Sequence, residues 1–166
     1  MYLDLTSIKN DKNVVLEFAE KINLNALGES FGNFTSEKPF LITGTVQNTN
    51  DGFYLKGKIT GEVHTKCSLC LNNIELKVDL FVERLYKLVA DEDSYALVDF
   101  KINLDELVFE ETVLNLPLKP VCHHNCKGLC PICGENLNER ECSCTQEEID
   151  IRLLPLKQLL EKQKGV

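Results

Sequence analysis

The chain has 166 residues, with 18 lysines and arginines against 26 aspartates and glutamates, and a formal net charge of −8. Hydrophobic residues make up 43% of the chain and charged residues 27%, which is typical of a folded domain and excludes wholesale disorder. No apolar run approaches the ~18 residues that a membrane helix needs, and Met1-Tyr2-Leu3-Asp4 does not begin a signal peptide. We therefore expect a cytoplasmic protein without membrane contacts.

Most of the negative charge lies in one segment, residues 91–111, which holds eight acidic side chains against Lys101 alone. Residues 53–89 carry six basic and four acidic side chains, and residues 117–166 carry seven of each. A negative net charge opposes nucleic-acid binding, because phosphate neutralisation drives that binding. Because most of this charge lies in one segment, the rest of the chain could still bind nucleic acid. The simplest structural interpretation of residues 91–111 is a solvent-exposed loop and helix face.

The first half of the chain has the alternation of β-strands. Asn50-Asp51-Gly52 is a turn signal between predicted strands at residues 40–47 and 53–66. Apolar residues then alternate with mostly charged ones from Ile74 to Val82, as in a half-buried strand. Two long strands therefore flank Cys67-Ser68-Leu69-Cys70 and predict a β-hairpin with cysteines at its tip. A further strand is predicted around Val14–Phe18.

Helical signals follow the strands. Asn103 and Glu106 form a helix start of the capping-box type, and the helix should end before Pro117. A second, short helix is predicted from about Pro155. The pattern predicts an α+β fold with a mainly antiparallel β body and one or two helices at residues 1–116. A Cys-rich segment and a terminal helix at residues 117–166 should pack on this body.

The eight cysteines carry the chemistry of the sequence. In a reducing compartment, pairs at two-residue spacing bind zinc more often than they form disulfides. Structural zinc takes four ligands, so the spacing predicts a compact site at Cys130, Cys133, Cys142 and Cys144. The remaining set is Cys67, Cys70, Cys122 and Cys126, which would join the tail to the hairpin. We expect one or two structural Zn²⁺ ions, and His123 or His124 is an alternative ligand.

The sequence gives less support to a catalytic or redox role for the cysteines. Sites with four cysteines are closed and activate no water, and no nucleotide-binding or hydrolase motif is present in the sequence. A strand rather than a helix follows Cys67-x2-Cys70, which disfavours a thioredoxin-like role. The sequence therefore predicts a protein that is not an enzyme and has no small-molecule substrate.

One block of the chain resembles a known family. Leu116-Pro117-Leu118-Lys119-Pro120-Val121-Cys122 leads into Cys126-Lys127-Gly128-Leu129-Cys130-Pro131-Ile132-Cys133-Gly134, and Cys142-x-Cys144 follows. This block is similar to the signature of the YceD family, the large ribosomal RNA subunit accumulation proteins. The resemblance implies a non-catalytic, cytoplasmic ribosome-biogenesis factor that supports 23S rRNA accumulation and large-subunit assembly. Its expected partner is 23S rRNA or a large-subunit precursor.

Basic residues around the hairpin and tail are the candidate phosphate contacts. They are Lys56, Lys58, Lys66, Lys77, Arg84, Lys87, Lys119 and Lys127. The first alternative function is a zinc-stabilised adaptor whose acidic segment, residues 91–111, docks a basic ribosomal protein, because opposite charges favour that pairing. The second is a redox switch in which thiol oxidation ejects zinc.

Overall fold

The computed structural model describes residues 1–12, 14–24 and 33–144. Within these ranges the chain forms seven strands, one short 3-10 helix at Thr6–Ile8 and one α-helix. The strands and the helix are β1 Tyr2–Asp4, β2 Val15–Ile22, β3 Phe40–Asn48, β4 Phe53–Lys66, β5 Asn73–Lys87, β6 Tyr95–Ala96, β7 Lys101–Asn103 and α1 Leu104–Asn115.

Five strands form one sheet in the order β2-β3-β4-β5-β6, and β1 pairs with β7 in a separate antiparallel ladder. All pairs of the five-stranded sheet are antiparallel except β5–β6. The longest pair is β4–β5, whose register runs from Phe53 opposite Tyr86 to Lys66 opposite Asn73. The predicted hairpin is therefore confirmed, and it presents Cys67–Cys70 at its tip.

The alternation of side chains along the hairpin separates a buried face from an exposed one. Leu55, Ile59 and Val63 of β4 are fully buried, and Val78 and Val82 of β5 lie on the same face. Close packing on this face requires glycine at residue 61, because a Cβ on Gly61 would lie 2.4 Å from the Phe40 ring. The core is completed by the 3-10 helix, β7 and α1, through residues such as Ile8, Ile102 and Leu107.

The other face of the hairpin carries charged pairs. Lys56 lies 3.3 Å from Glu83 and Lys58 lies 2.9 Å from Asp79, measured between nitrogen and carboxylate oxygen. Phe81 stands exposed among them, with the Lys58 ammonium 5.2 Å from its ring centroid. This face is therefore close to electrically balanced.

The predicted start of α1 is confirmed: the Asn103 side chain accepts a hydrogen bond from the Glu106 amide. Helix α1 ends before Pro117, and the sheet is mainly antiparallel, so the α+β prediction is confirmed. The helix predicted from about Pro155 lies outside the described residues. None of the helices in the described ranges is long and apolar enough to cross a membrane.

Candidate metal centres

The hairpin tip folds as a tight knuckle around its two cysteines. The Cys67 amide donates to the Asn72 carbonyl at 2.8 Å, and the Leu71 amide donates to the Cys67 carbonyl at 3.0 Å. Cys67 and Cys70 are both buried. Leu71 adopts φ 62°, a left-handed conformation that costs a side-chain-bearing residue about 1–2 kcal/mol.

A second knuckle in the tail repeats these contacts. The Cys130 amide donates to the Glu135 carbonyl at 2.8 Å, and the Gly134 amide donates to the Cys130 carbonyl at 2.8 Å. Gly134 has φ 75° and holds the position that Leu71 holds in the first knuckle. The two knuckles thus share one backbone design, with glycine at the left-handed position in the tail and leucine in the hairpin.

The structure brings the eight cysteines together as two groups of four. The first group is Cys67, Cys70, Cys122 and Cys126, and the second group is Cys130, Cys133, Cys142 and Cys144; the sulfurs within each lie within 4.8 Å of one another. In the first group, two sulfur pairs are 3.9 Å and 3.6 Å apart. Four sulfurs bound to one zinc at ~2.3 Å would be about 3.8 Å apart. Both groups can therefore hold a metal ion of this kind.

The ionisation of the thiols favours the same conclusion. Backbone amides of Cys133 and Ile132 lower the pKa of the Cys130 thiol to about 6. Burial and the neighbouring Cys126 sulfur raise the pKa of Cys122 to about 12. The Cys133 sulfur, with burial, raises the pKa of Cys144 to about 12. Neighbouring thiolates disfavour one another's negative charge, whereas a divalent cation among the sulfurs would stabilise it.

Contacts other than sulfur also join the tail to the hairpin. The Ser68 amide donates to the Pro120 carbonyl at 2.7 Å, and the Leu129 amide donates to the Leu69 carbonyl at 3.1 Å. Asn138, from the loop of the second group, donates its side-chain amide to the Cys126 sulfur at 3.3 Å. The same side chain accepts from the Lys127 amide at 2.9 Å. Asn138 therefore links the two groups.

The histidines lie outside both groups. His123 and His124 are exposed between Cys122 and Cys126, and the groups of potential ligands in the described ranges contain neither of them. The carbonyl and amide of His64 pair with Thr35 in an isolated bridge. The four-cysteine arrangement is thus complete without a histidine.

The eight cations predicted to contact phosphate fall into different environments. Lys56 and Lys58 are paired with acids on the sheet, and Lys87 lies 2.6 Å from Asp91. Four others are exposed and form no ion pair within the described part of the chain: Lys66, Lys77, Lys119 and Lys127. Three of these, Lys66, Lys119 and Lys127, are close in sequence to cysteines of the first group.

Arg84 does not suit a phosphate contact, because it is 5% exposed. Its guanidinium donates to Glu111 at 2.8 and 3.0 Å and to Glu110 at 2.8 Å. Burial opposes its charge, but these two carboxylates hold the pKa of Arg84 above its ordinary value. The sequence contained a signal for this role, since Arg84 has the same parity as the buried Val82 and Tyr86.

Half of the acidic side chains in residues 91–111 form ion pairs with cations from other parts of the chain. Asp91 pairs with Lys87, Asp105 with the N-terminal ammonium, and Glu110 and Glu111 with Arg84. The four other acids form no ion pair in the ranges that the structure describes; they are Glu92, Asp93, Asp99 and Glu106. Sequence reasoning missed this division, because it depends on how β5 packs against α1.

The chain is an α+β protein whose longest hairpin meets a cysteine-rich tail at a four-cysteine group, and both of its cysteine groups could hold a metal ion. The family model of the large ribosomal RNA subunit accumulation protein YceD matches residues 55–160. The chain belongs to the YceD family. The match includes both knuckles and all eight cysteines.

Several curated proteins are similar to the chain. An uncharacterized protein of Mycobacterium tuberculosis is 28% identical over 123 residues, which is 69% of this chain and 59% of that protein. The large ribosomal RNA subunit accumulation protein YCED homolog 1, chloroplastic, of Arabidopsis thaliana is 36% identical over 62 residues, 37% of this chain and 19% of the relative. The uncharacterized protein YlbN of Bacillus subtilis is 23% identical over 152 residues, 88% of each chain.

The chain spans about three fifths of the length of the mycobacterial relatives that it matches. No solved structure matches the chain. The family name and the plant relatives' names describe ribosomal RNA accumulation and not an enzymatic reaction.

Proposed function

We propose that this protein is a non-catalytic ribosome-biogenesis factor that supports accumulation of 23S rRNA and assembly of the large subunit in the cytoplasm. The observation that carries the proposal is the family match, which extends over residues 55–160 and therefore over the hairpin and both cysteine groups. The closed four-cysteine groups support a structural use of metal, because a catalytic site keeps a ligand position open.

Zinc is the metal that we assign to both groups. The donors are four sulfurs in each, and a tetrahedral all-sulfur site suits zinc. On this proposal the eight cysteines are the ligands of two structural Zn²⁺ ions. The first ion would hold the tail, residues 117–166, on the body, residues 1–116. Native mass spectrometry of untagged protein should find two zinc ions per chain; a chain that folds fully with none would contradict the assignment.

Direct RNA contact is best supported near the first group. Lys66, Lys119 and Lys127 are exposed there and make no ion pairs in the described ranges. Lysines without acidic partners can neutralise phosphates at low cost, and such binding weakens as salt rises. The chain as a whole is acidic, so we place RNA at this end and not at residues 91–111.

The test of the biological role is depletion of the protein in its own organism. We expect the ratio of mature 23S to 16S rRNA to fall and large-subunit precursors to accumulate in sucrose gradients. The tagged protein should sediment with those precursors. Normal 23S rRNA and normal subunit profiles after complete depletion would refute the role.

The test of RNA contact compares two double variants of equal charge change. Lys119→Gln with Lys127→Gln should weaken binding to large-subunit precursors and reduce its dependence on salt. Lys12→Gln with Lys21→Gln removes two exposed lysines from elsewhere in the chain and should leave binding unchanged. Equal losses in both variants would show that net charge, and not this surface, governs association.

A further inference from the structure

A cavity of about 610 Å³ lies at the end of the hairpin opposite the cysteines. Its lining comes from the five-stranded sheet, from the β1–β7 ladder and from α1. It includes Arg84 and Tyr86 of β5, Tyr95 of β6 and Glu106 of α1. Along β5, Arg84 is eleven residues from Asn73 at the tip end, which at ~3.3 Å per residue is roughly 36 Å. The cavity is therefore a separate feature from both cysteine groups.

The floor of the cavity is an ion-paired arginine. Arg84 already donates to Glu110 and Glu111, and the Tyr95 ring centroid lies 4.1 Å from its guanidinium carbon. Two carboxylates on one guanidinium leave this group with a net negative charge. The floor therefore has no free positive charge to offer a phosphate, although it contains an arginine.

The walls and rim are aromatic and acidic. Tyr2 is 67% exposed, Tyr95 is 44% exposed and Val98 is 68% exposed. Asp99 and Glu106 also line the cavity and form no ion pair in the described ranges. The π-face of tyrosine attracts cations, and an exposed valine can pack against the aliphatic stem of a long basic side chain. The lining thus suits a cation on a hydrocarbon chain.

The charged residues around the cavity also favour a cationic ligand. Glu92 and Asp93 precede β6, which contributes Tyr95 to the lining, and they too form no ion pair in the part of the chain that the structure describes. Against these acids the lining offers only Lys101 besides the neutralised Arg84. Such a field attracts a basic partner and repels nucleic acid.

We propose that this cavity receives lysine and arginine side chains of a basic protein segment. The inference rests on the proposed function, in which the protein acts where basic ribosomal proteins assemble on rRNA. RNA would then contact the end of the molecule with the first cysteine group, and the protein partner would contact the opposite end. The two surfaces are separated by the length of the β4–β5 hairpin.

The test uses the full, zinc-loaded chain and a synthetic peptide of alternating lysine, arginine and glycine, with binding measured by calorimetry at physiological salt. The key variant is Asp99→Asn with Glu106→Gln, which removes two charges and keeps shape. Asparagine tolerates the left-handed backbone of residue 99, which has φ 51°. The matched control is Glu17→Gln with Glu75→Gln, which removes two exposed acids outside the cavity.

We expect the key variant to weaken peptide binding about tenfold and the control to weaken it less than about twofold. Tyr95→Leu should also weaken binding, with circular dichroism to confirm that the variant is folded. Equal losses in the two double variants, or no loss in the key variant, would overturn the proposal. So would loss of poly(U) RNA binding in Tyr95→Leu with peptide binding intact, since the occupant would then be nucleic acid.

Measurements on the wild-type chain separate this inference from the proposed function. If the wild-type chain sediments with large-subunit precursors but does not bind the peptide, the cavity proposal fails and the biogenesis role stands. If no form of the chain associates with precursors and depletion leaves 23S rRNA unchanged, the biogenesis role fails, while the peptide measurement still decides the chemistry of the cavity.

Discussion

The two cysteine groups share their knuckle geometry but differ in what they connect. The first group joins residues 67–70 of the hairpin to residues 122–126 of the tail, and two of its cysteines are buried. The second group closes within residues 130–144, and Cys133 is exposed. The same knuckle can thus serve two purposes. In the first group it connects distant parts of the chain, and in the second group it orders a short segment that has little apolar core of its own.

Removing one sulfur from each group should give the largest contrast. Cys70→Ser should abolish the first zinc site and destabilise the whole molecule by about 4 kcal/mol, the value expected for a cross-link that closes a loop of this length. Cys133→Ser should abolish the second site and leave the body intact. Native mass spectrometry would count the remaining zinc, and hydrogen exchange would locate the loosened segment. If either variant loses both ions, the two groups are not independent.

The body should depend on its apolar core and not on the second metal site. Ile59 is fully buried in the centre of β4, so Ile59→Ala should destabilise the body by about 3 kcal/mol through lost burial and a residual cavity. Urea unfolding monitored by circular dichroism would measure this. The second group should keep its zinc in this variant. Ile132→Ala, at an exposed position between two cysteines, is the control and should change stability by less than about 0.5 kcal/mol.

The link between the groups can be broken at Asn138. Its side-chain amide donates to the Cys126 sulfur, and hydrogen bonds of this kind tune metal affinity. Asn138→Ala should weaken zinc binding at the first group about tenfold and barely affect the second, although residue 138 lies between Cys133 and Cys142. Competition with a chromophoric chelator would measure both affinities. A selective loss at the second site would show that Asn138 serves its own loop instead.

The smallest expected effect compares the two left-handed positions. Leu71→Gly should stabilise the zinc-loaded protein by up to about 1 kcal/mol, because glycine adopts positive φ without steric cost. Gly134→Ala should destabilise it by about 1 kcal/mol; a Cβ there meets no atom within 4 Å, so only backbone strain is added. Thermal unfolding measures both. A destabilised Leu71→Gly would mean that the leucine side chain contributes more contact than its exposure indicates.

Much of this arrangement could be predicted because it follows from local patterns. Alternation identified β4 and β5, and the Asn103 cap identified the start of α1. The grouping of the cysteines followed from a coordination number of four and from sequence distance. Each of these signals is contained in a short stretch of sequence, where periodicity or spacing determines the outcome.

The remaining features depend on contacts between distant segments. The parity of Arg84 along β5 indicates that it is buried, but its partners Glu110 and Glu111 follow only from the packing of α1 against β5. The hydrogen bonds from Ser68 to Pro120 and from Leu129 to Leu69 involve backbone atoms, which carry no sequence signal. The cavity at the far end of the hairpin is lined by β5 and α1 together with the short strands β1, β6 and β7, whose pairing the sequence does not indicate.

The position of Cys67 and Cys70 has a consequence for synthesis on the ribosome. The hairpin can form as soon as β5 has emerged, and its register then fixes both thiols at the tip. Cys122 and Cys126 follow the end of β5 at Lys87 by 35 and 39 residues, which at ~5–20 residues per second is a delay of several seconds. On the proposed zinc assignment, the nascent chain carries half of the ligands of the first site during that interval, and its two thiols are open to oxidation until Cys122 and Cys126 complete the set of four.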